Sequence, residues 1–320
     1  MNPSDASRHC TEVLDSVSNA VVTDRETLRT VLSGVLARGN VLLEDVPGTG
    51  KTLTAQSLAT ALGLSFSRVQ FTPDLLPSDV TGTDVFNERT REFEFDRGPL
   101  FANVVLADEI NRASPKTQAA LLEAMAEGQV TVNGETHQLP DPFFVVATQN
   151  PVEEGQGTFP LPEAQLDRFL VKTSLGYPDE EGELELVDRR DARDSRSPSA
   201  HQTLGPNDLQ RIQSLVERIE VDRDVKSYVV DLARATRDHA KTKVGVSPRG
   251  TQRLFETART RALLDGREFV VPDDVKAVAR PVVGHRLVLT PDARVDEVTP
   301  ETVVDDVLSE VSVPTVARTA

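Results

Sequence analysis

The chain has one cysteine, Cys10, so no disulfide can form within it, as expected for a protein of a reducing cytoplasm. No apolar run approaches the roughly 18 residues that span a bilayer. Residues 1–20 are polar and contain no signal-peptide core, so direct membrane insertion is not expected. The histidines are His9, His137, His201, His239 and His285. None is paired at ligand spacing, which argues against a zinc site. There is no Gly-x-Ser-x-Gly elbow, no Cys–His context for nucleophilic catalysis, and no internal repeat. Lysine is scarce, with seven among 35 basic residues, and the net charge is −16. An acidic, lysine-poor surface with few bulky apolar residues reads as halophilic, because high ionic strength screens the self-repulsion of dense carboxylates. The same charge argues against non-specific nucleic-acid binding, which needs a basic face.

The most informative stretch is Asp45-Val46-Pro47-Gly48-Thr49-Gly50-Lys51-Thr52. It lies between the apolar Val41-Leu42-Leu43 and a helical pattern from Leu53 to Leu62. A strand, a glycine-rich turn and a helix make a phosphate-binding loop, because backbone N–H groups and the helix N-terminus converge on an anion. Lys51 is then expected to reach the β- and γ-phosphates of ATP, and Thr52 to hold Mg²⁺. The usual pattern begins with glycine. Here Asp45 stands there, and a carboxylate facing a triphosphate would be repulsive.

Two further apolar stretches end in polar groups. Val104-Val105-Leu106-Ala107 leads to Asp108-Glu109, and Phe143 to Gln149 leads to Asn150-Pro151. In an open parallel sheet, ligands bind beyond the carboxyl ends of the strands. Asp108 is therefore expected to hold Mg²⁺ through water, Glu109 to polarise the attacking water, and Asn150 to orient that water or touch the γ-phosphate.

At 320 residues about two domains are expected. Residues 1 to about 38 read as helices, with Leu28, Val31, Leu32, Val35 and Leu36 at helical spacing. Strand and helix patterns then alternate to about residue 175, the mark of an α/β domain. Ser114, Pro115 and Gly128 delimit a helix over 114–127. Asn133-Gly134 predicts a type I′ hairpin turn. An earlier hairpin spans residues 83–95, with Phe86, Phe93 and Phe95 expected to pack inward and a charged tip available to a partner. Residues 178–205 read as a linker or a frayed helix end, and residues 206 to about 290 as helices. The division is thus 1–177, 178–205 and 206–320, the last including an acidic tail.

The order Lys51-Thr52, Asp108-Glu109, Asn150, Asp167-Arg168-Phe169, Ser247-Pro248-Arg249 resembles an AAA+ ATPase. Three stretches resemble the MoxR branch almost letter for letter: Asp108 to Ala113, Ala147 to Pro151, and Leu161 to Phe169. Val271-Pro272-Asp273-Asp274-Val275 is similar to that family's lid. The resemblance runs roughly from residue 20 to 290. It implies a P-loop NTPase αβα sandwich with a parallel sheet, followed by a small all-helical lid. It implies Walker A at 45–52, Walker B at 104–109, sensor 1 at Asn150, an arginine finger at Arg168 and a sensor 2 arginine at Arg249. Arg112 competes with Arg168 for the trans-acting role. The hairpin near residue 86 corresponds to the insert that marks this clade.

The function implied is ATP hydrolysis by a homo-oligomeric ring, with a hexamer as the expected form. The ring would drive chaperone-like remodelling, maturation or metal insertion of a partner with a von Willebrand factor A domain. Two other readings stay open. One is a nucleotide-gated scaffold with little turnover, weakened by Asp45. The other is a DNA-associated AAA+ motor, against which the acidic charge and the lack of a DNA-binding domain argue.

Overall fold

A computed structural model describes residues 1–151, 157–192 and 198–315. The strongest element of the sequence pattern is the set of continuous apolar runs. These form a five-stranded parallel sheet of β1 (Asn40–Glu44), β2 (Phe66–Gln70), β5 (Val104–Asp108), β8 (Phe144–Gln149) and β9 (Phe169–Thr173). The spatial order is β2-β5-β8-β1-β9. Such runs are what a parallel sheet covered on both faces requires. Alternation along each strand splits the buried residues between two cores. Val41, Leu43, Val104, Leu106, Phe144 and Val146 face one, and Leu42, Val105, Ala107, Val145 and Ala147 the other.

On the first face lie α1 (Pro3–Ser18), α2 (Arg25–Leu36) and α3 (Lys51–Ala61). Gly34 lets α2 approach the sheet, since a Cβ there would lie 2.8 Å from a Val41 methyl. The second face carries α4 (Pro77–Thr81) and α5 (Pro115–Glu127), the latter burying Leu121 and Leu122. The expected signals delimit α5. Ser114 Oγ accepts from Thr117 N–H, Pro115 is the first helical residue, and Gly128 stops the helix at φ 63°.

Two hairpins leave the layers, β3 (Gly82–Asn87) with β4 (Glu92–Arg97) and β6 (Gln129–Val132) with β7 (Glu135–Gln138). Asn133 and Gly134 both have positive φ, 49° and 87°, as a type I′ turn requires. The inward packing expected of the phenylalanines holds only at the hairpin root. Phe95 stacks on His137 and meets Phe101 edge-on. Phe86 and Phe93 pair with each other at 5.3 Å, yet remain 50% and 71% exposed. A two-stranded ribbon away from both cores offers nothing to cover its outer half.

After the short α6 (Glu163–Leu166) and β9, the segment expected as a linker or a frayed helix end carries a helix, α7 (Glu180–Asp191). Asp179 caps it, and three glutamates in its first turn complement its dipole. The C-terminal part is helical: α8 (Pro206–Val216), α9 (Arg223–Asp238), α10 (Pro248–Leu264), α11 (Pro272–Val283), α12 (Pro291–Val295) and α13 (Pro300–Glu310). A small antiparallel pair, β10 (Thr242–Val244) and β11 (Val288–Leu289), interrupts it. These helices form a lid whose apolar residues are continuous with the first core. Among the described residues no helix is long and apolar enough to cross a membrane.

Candidate functional site

The middle of the sheet brings β5, β8 and β1 side by side, so the segments leaving their carboxyl ends meet. The loop after β1 turns through Gly48 (φ 92°) and Gly50 (φ 90°), left-handed conformations that favour glycine. Gly50 caps α3 without a side-chain hydrogen bond, which leaves the helix N–H groups and positive dipole end facing outward. Lys51 Nζ bends back along the loop, donating to Asp45 O at 2.6 Å and Val46 O at 2.8 Å. Burial lowers the Lys51 pKa, and the nearby Asp45, Asp108 and Glu109 carboxylates oppose that shift. Thr49 Oγ1 closes the loop on Val46 O. A cavity of about 390 Å³ opens here, lined by Pro47, Gly48, Gly50, Lys51, Thr52, Arg68, Asp108, Glu109, Thr148, Gln149 and Asn150, among others.

Asp45 does not line this cavity. Its carboxylate is buried, and Oδ2 accepts from the N–H groups of Leu175 at 2.6 Å and Gly176 at 3.0 Å. The side chain thus caps the turn that follows β9.

Asp108 and Glu109 are held by a hydroxyl that sequence reasoning missed. Thr148 Oγ1 donates to Asp108 Oδ1 at 2.6 Å and accepts from Glu109 N–H at 2.9 Å. Glu109 itself is left-handed, φ 57° and ψ 51°, a conformation that costs an L-residue about 1–2 kcal/mol. Its Oε2 accepts from Gln70 Nε2 and from Arg112 Nη1, each at 2.9 Å. Asp108 Oδ2 accepts two hydrogen bonds from Arg68, at 2.6 and 3.1 Å. Arg68 and Gln70 were also missed. The available signal was their spacing of two on one strand, which places both on one face of β2 beside Asp108.

Asn150, just after β8, borders the same cavity. The two candidate arginines do not. Arg168, between α6 and β9, donates from Nη1 to Leu122 O of α5 at 2.5 Å. Arg249 is exposed at the first turn of α10. Arg112, the competing candidate, contacts Glu109 of its own chain.

Among the described residues no group of three or more His, Cys, Asp or Glu side chains is placed to hold a metal by itself. The Thr52 hydroxyl and the Asp108 carboxylate border one cavity as hard oxygen donors. That set suits Mg²⁺, which is bound by one or two protein oxygens together with water and substrate phosphates.

Comparison with known proteins bears on what this cavity serves. Residues 40–171 match the family described as "ATPase family associated with various cellular activities (AAA)", and residues 234–307 match the AAA lid domain. The chaperone MoxR1 of Mycobacterium tuberculosis is 44% identical over 309 residues, covering 94% of this chain and 81% of its own. The uncharacterised protein YeaC of Bacillus subtilis is 46% identical over 303 residues, covering 95% and 94%. A crystal structure of a Cytophaga hutchinsonii protein assigned as an ATPase matches with a TM-score of 0.89 at 38% identity, covering 97% of this chain and 96% of that one.

Proposed function

The chain belongs to the MoxR family of AAA ATPases, and from that premise we propose that it hydrolyses ATP at the cavity beside Lys51 to remodel a partner protein. The observation that carries this reading is the convergence of Lys51 and Thr52, Asp108 and Glu109, and Asn150 from three adjacent strand ends on one 390 Å³ space.

On this reading Lys51 exchanges its two loop carbonyls for β- and γ-phosphate oxygens, and the backbone from Val46 to Gly50 cradles the β-phosphate. Thr52 and Asp108 would hold Mg²⁺, which neutralises charge on the transferring phosphoryl group. Glu109 polarises the attacking water, and Asn150 keeps that water in line. Gln70 and Arg112 fix the Glu109 carboxylate, so they set how readily it turns to the water. Arg168 acts on the nucleotide of a neighbouring subunit, a contribution worth about 10³-fold or more in rate. Arg249 contacts the γ-phosphate when the lid closes.

A finger that acts only across an interface requires an oligomer, and a hexameric ring is the form the resemblance implies. The partner class it implies is a protein with a von Willebrand factor A domain. The name of the chaperone relative supports remodelling as the output. A non-hydrolysing scaffold gains nothing from Asp45, since that carboxylate is engaged with Leu175 and Gly176.

The test is Glu109→Gln, which keeps size and removes the base. Turnover should fall by about 10²–10⁴-fold, while a fluorescent ATP analogue still binds with wild-type affinity. Hydrolysis near the wild-type rate would remove Glu109 from its role.

A further inference from the structure

Arg286 follows α11 in a single 3-10 turn, Gly284–Arg286, and its side chain is only 3% exposed. Its acceptors lie on both sides of Arg168. Nε donates to Asp167 Oδ1 at 2.8 Å, Nη2 to Phe169 O at 2.7 Å, and Nη1 to Leu170 O at 3.2 Å. The other contacts are in the lid. Nη1 also donates to Val282 O of α11, and it lies 2.8 Å from His285 Nε2. The stem packs on α10 at Gly250, where an added Cβ would be 2.9 Å from Arg286 Cδ. Gly250 is the residue after Arg249. One side chain thus bonds the backbone on either side of Arg168 through its guanidinium and packs through its stem on the helix turn that carries Arg249.

We infer that Arg286 is a positioning residue through which each subunit's lid sets the Arg168 that it offers to the neighbouring subunit. The inference rests on reading Arg168 as a finger that acts across a subunit interface. A planar fork suits this place because its donors are spread over three nitrogens and reach Asp167, Phe169, Leu170 and Val282 at once, more acceptors than the single nitrogen of an ammonium can serve. Burial lowers the Arg286 pKa to about 10, so the group remains charged at neutral pH and the Asp167 pairing persists. When the lid moves, residues 167–170 are drawn with it, and Arg168 shifts relative to the next subunit. Displacement of a catalytic group by about 1 Å costs on the order of a hundredfold in rate.

Arg286→Lys keeps the charge and loses the fork, and its ATPase should fall about a hundredfold with ATP binding intact. Mixed assemblies then show which site is damaged. Arg286→Lys subunits mixed with Glu109→Gln subunits should recover activity, because a sound pocket meets a sound finger. Arg286→Lys mixed with Arg168→Ala should not, because neither subunit donates a placed finger. Arg168→Ala mixed with Glu109→Gln is the control for the finger itself. If that control stays dead in co-assembled rings, the finger reading fails and this proposal falls with it. If the control recovers and the Arg286→Lys and Arg168→Ala mixture recovers equally, Arg286 acts within its own pocket and the proposal is wrong. Wild-type activity of Arg286→Lys alone would also overturn it. Should Arg286→Lys fail to fold or assemble, Asp167→Asn, which removes the charge partner at constant size, takes its place in the same three mixtures.

Discussion

Replacing Asp45 by glycine restores the usual first position of the phosphate loop, and two opposite outcomes can be told apart by magnitude. A carboxylate about 5 Å from a phosphate, at an effective dielectric near 20, is repelled by about 3 kcal/mol. Were Asp45 so placed, its removal would tighten ATP binding by about a hundredfold. The structure instead gives Oδ2 two backbone donors, Leu175 N–H at 2.6 Å and Gly176 N–H at 3.0 Å, in a buried setting. Loss of charged hydrogen bonds, with donors left buried, costs about 1.5–3 kcal/mol each, partly offset by the relieved desolvation of the carboxylate. The expected destabilisation is about 2–4 kcal/mol, a fall in Tm of roughly 4–12 °C. Affinity for a fluorescent ATP analogue should stay within about twofold. Asp45→Ala separates the backbone freedom of glycine from the lost cap, and Asp45→Asn, which keeps one acceptor, should lose about half as much stability. Thermal unfolding and analogue titration on the three variants decide the matter. A large gain in affinity with unchanged Tm would refute the assignment of Asp45 as a turn cap.

Lys51→Ala should lose both nucleotide affinity and turnover, since Lys51 is the only side-chain cation in the loop; unchanged analogue binding would sink the phosphate-loop reading. Cys10 is 1% exposed and burial raises its thiol pKa to about 12 from 9.0, so at pH 8 its thiolate fraction is roughly a thousandfold below that of a free thiol. A maleimide should therefore label it only after denaturation, and rapid labelling of the native protein would show that α1 does not seal the core.

The parts of the fold that were legible in the sequence are those where one local rule governs one segment. The central strands are buried on both faces, so Val41-Leu42-Leu43 and Val104 to Ala107 could be read as strands without knowing their neighbours. Ser114, Pro115 and Gly128 each act through their own backbone, and they delimit α5 as expected. That Lys51, Glu109 and Asn150 border one cavity could be anticipated because strand ends converge in a parallel sheet. What escaped was non-local. Thr148 looked like another strand residue, and only the register of β5 against β8 brings its hydroxyl between Asp108 and Glu109. Arg68 and Gln70 matter because β2 is the neighbour of β5, which strand order decides and composition does not. The phenylalanines of the first hairpin were misjudged for a related reason. Alternation shows that a face is apolar, but not whether anything lies over it.

The manner in which the lid is attached bears on how it can move. Between α2 and α10 the polar links are Arg29 with Asp265 and Arg261 with Glu26, whose carboxylates are 37% and 60% exposed. Half-exposed pairs of this kind contribute about 0–1 kcal/mol and are weakened by salt. They allow two surfaces to slide while partners are exchanged for water. Arg286 is different, because its charge and five N–H donors are enclosed, with Asp167 and carbonyls from two segments as acceptors. Separating it would strand a buried charge at a cost of several kcal/mol. Beside the apolar core that the lid shares with α1 and α2, the exposed pairs add little, whereas the enclosed Arg286 ties the lid to the segment that carries Arg168.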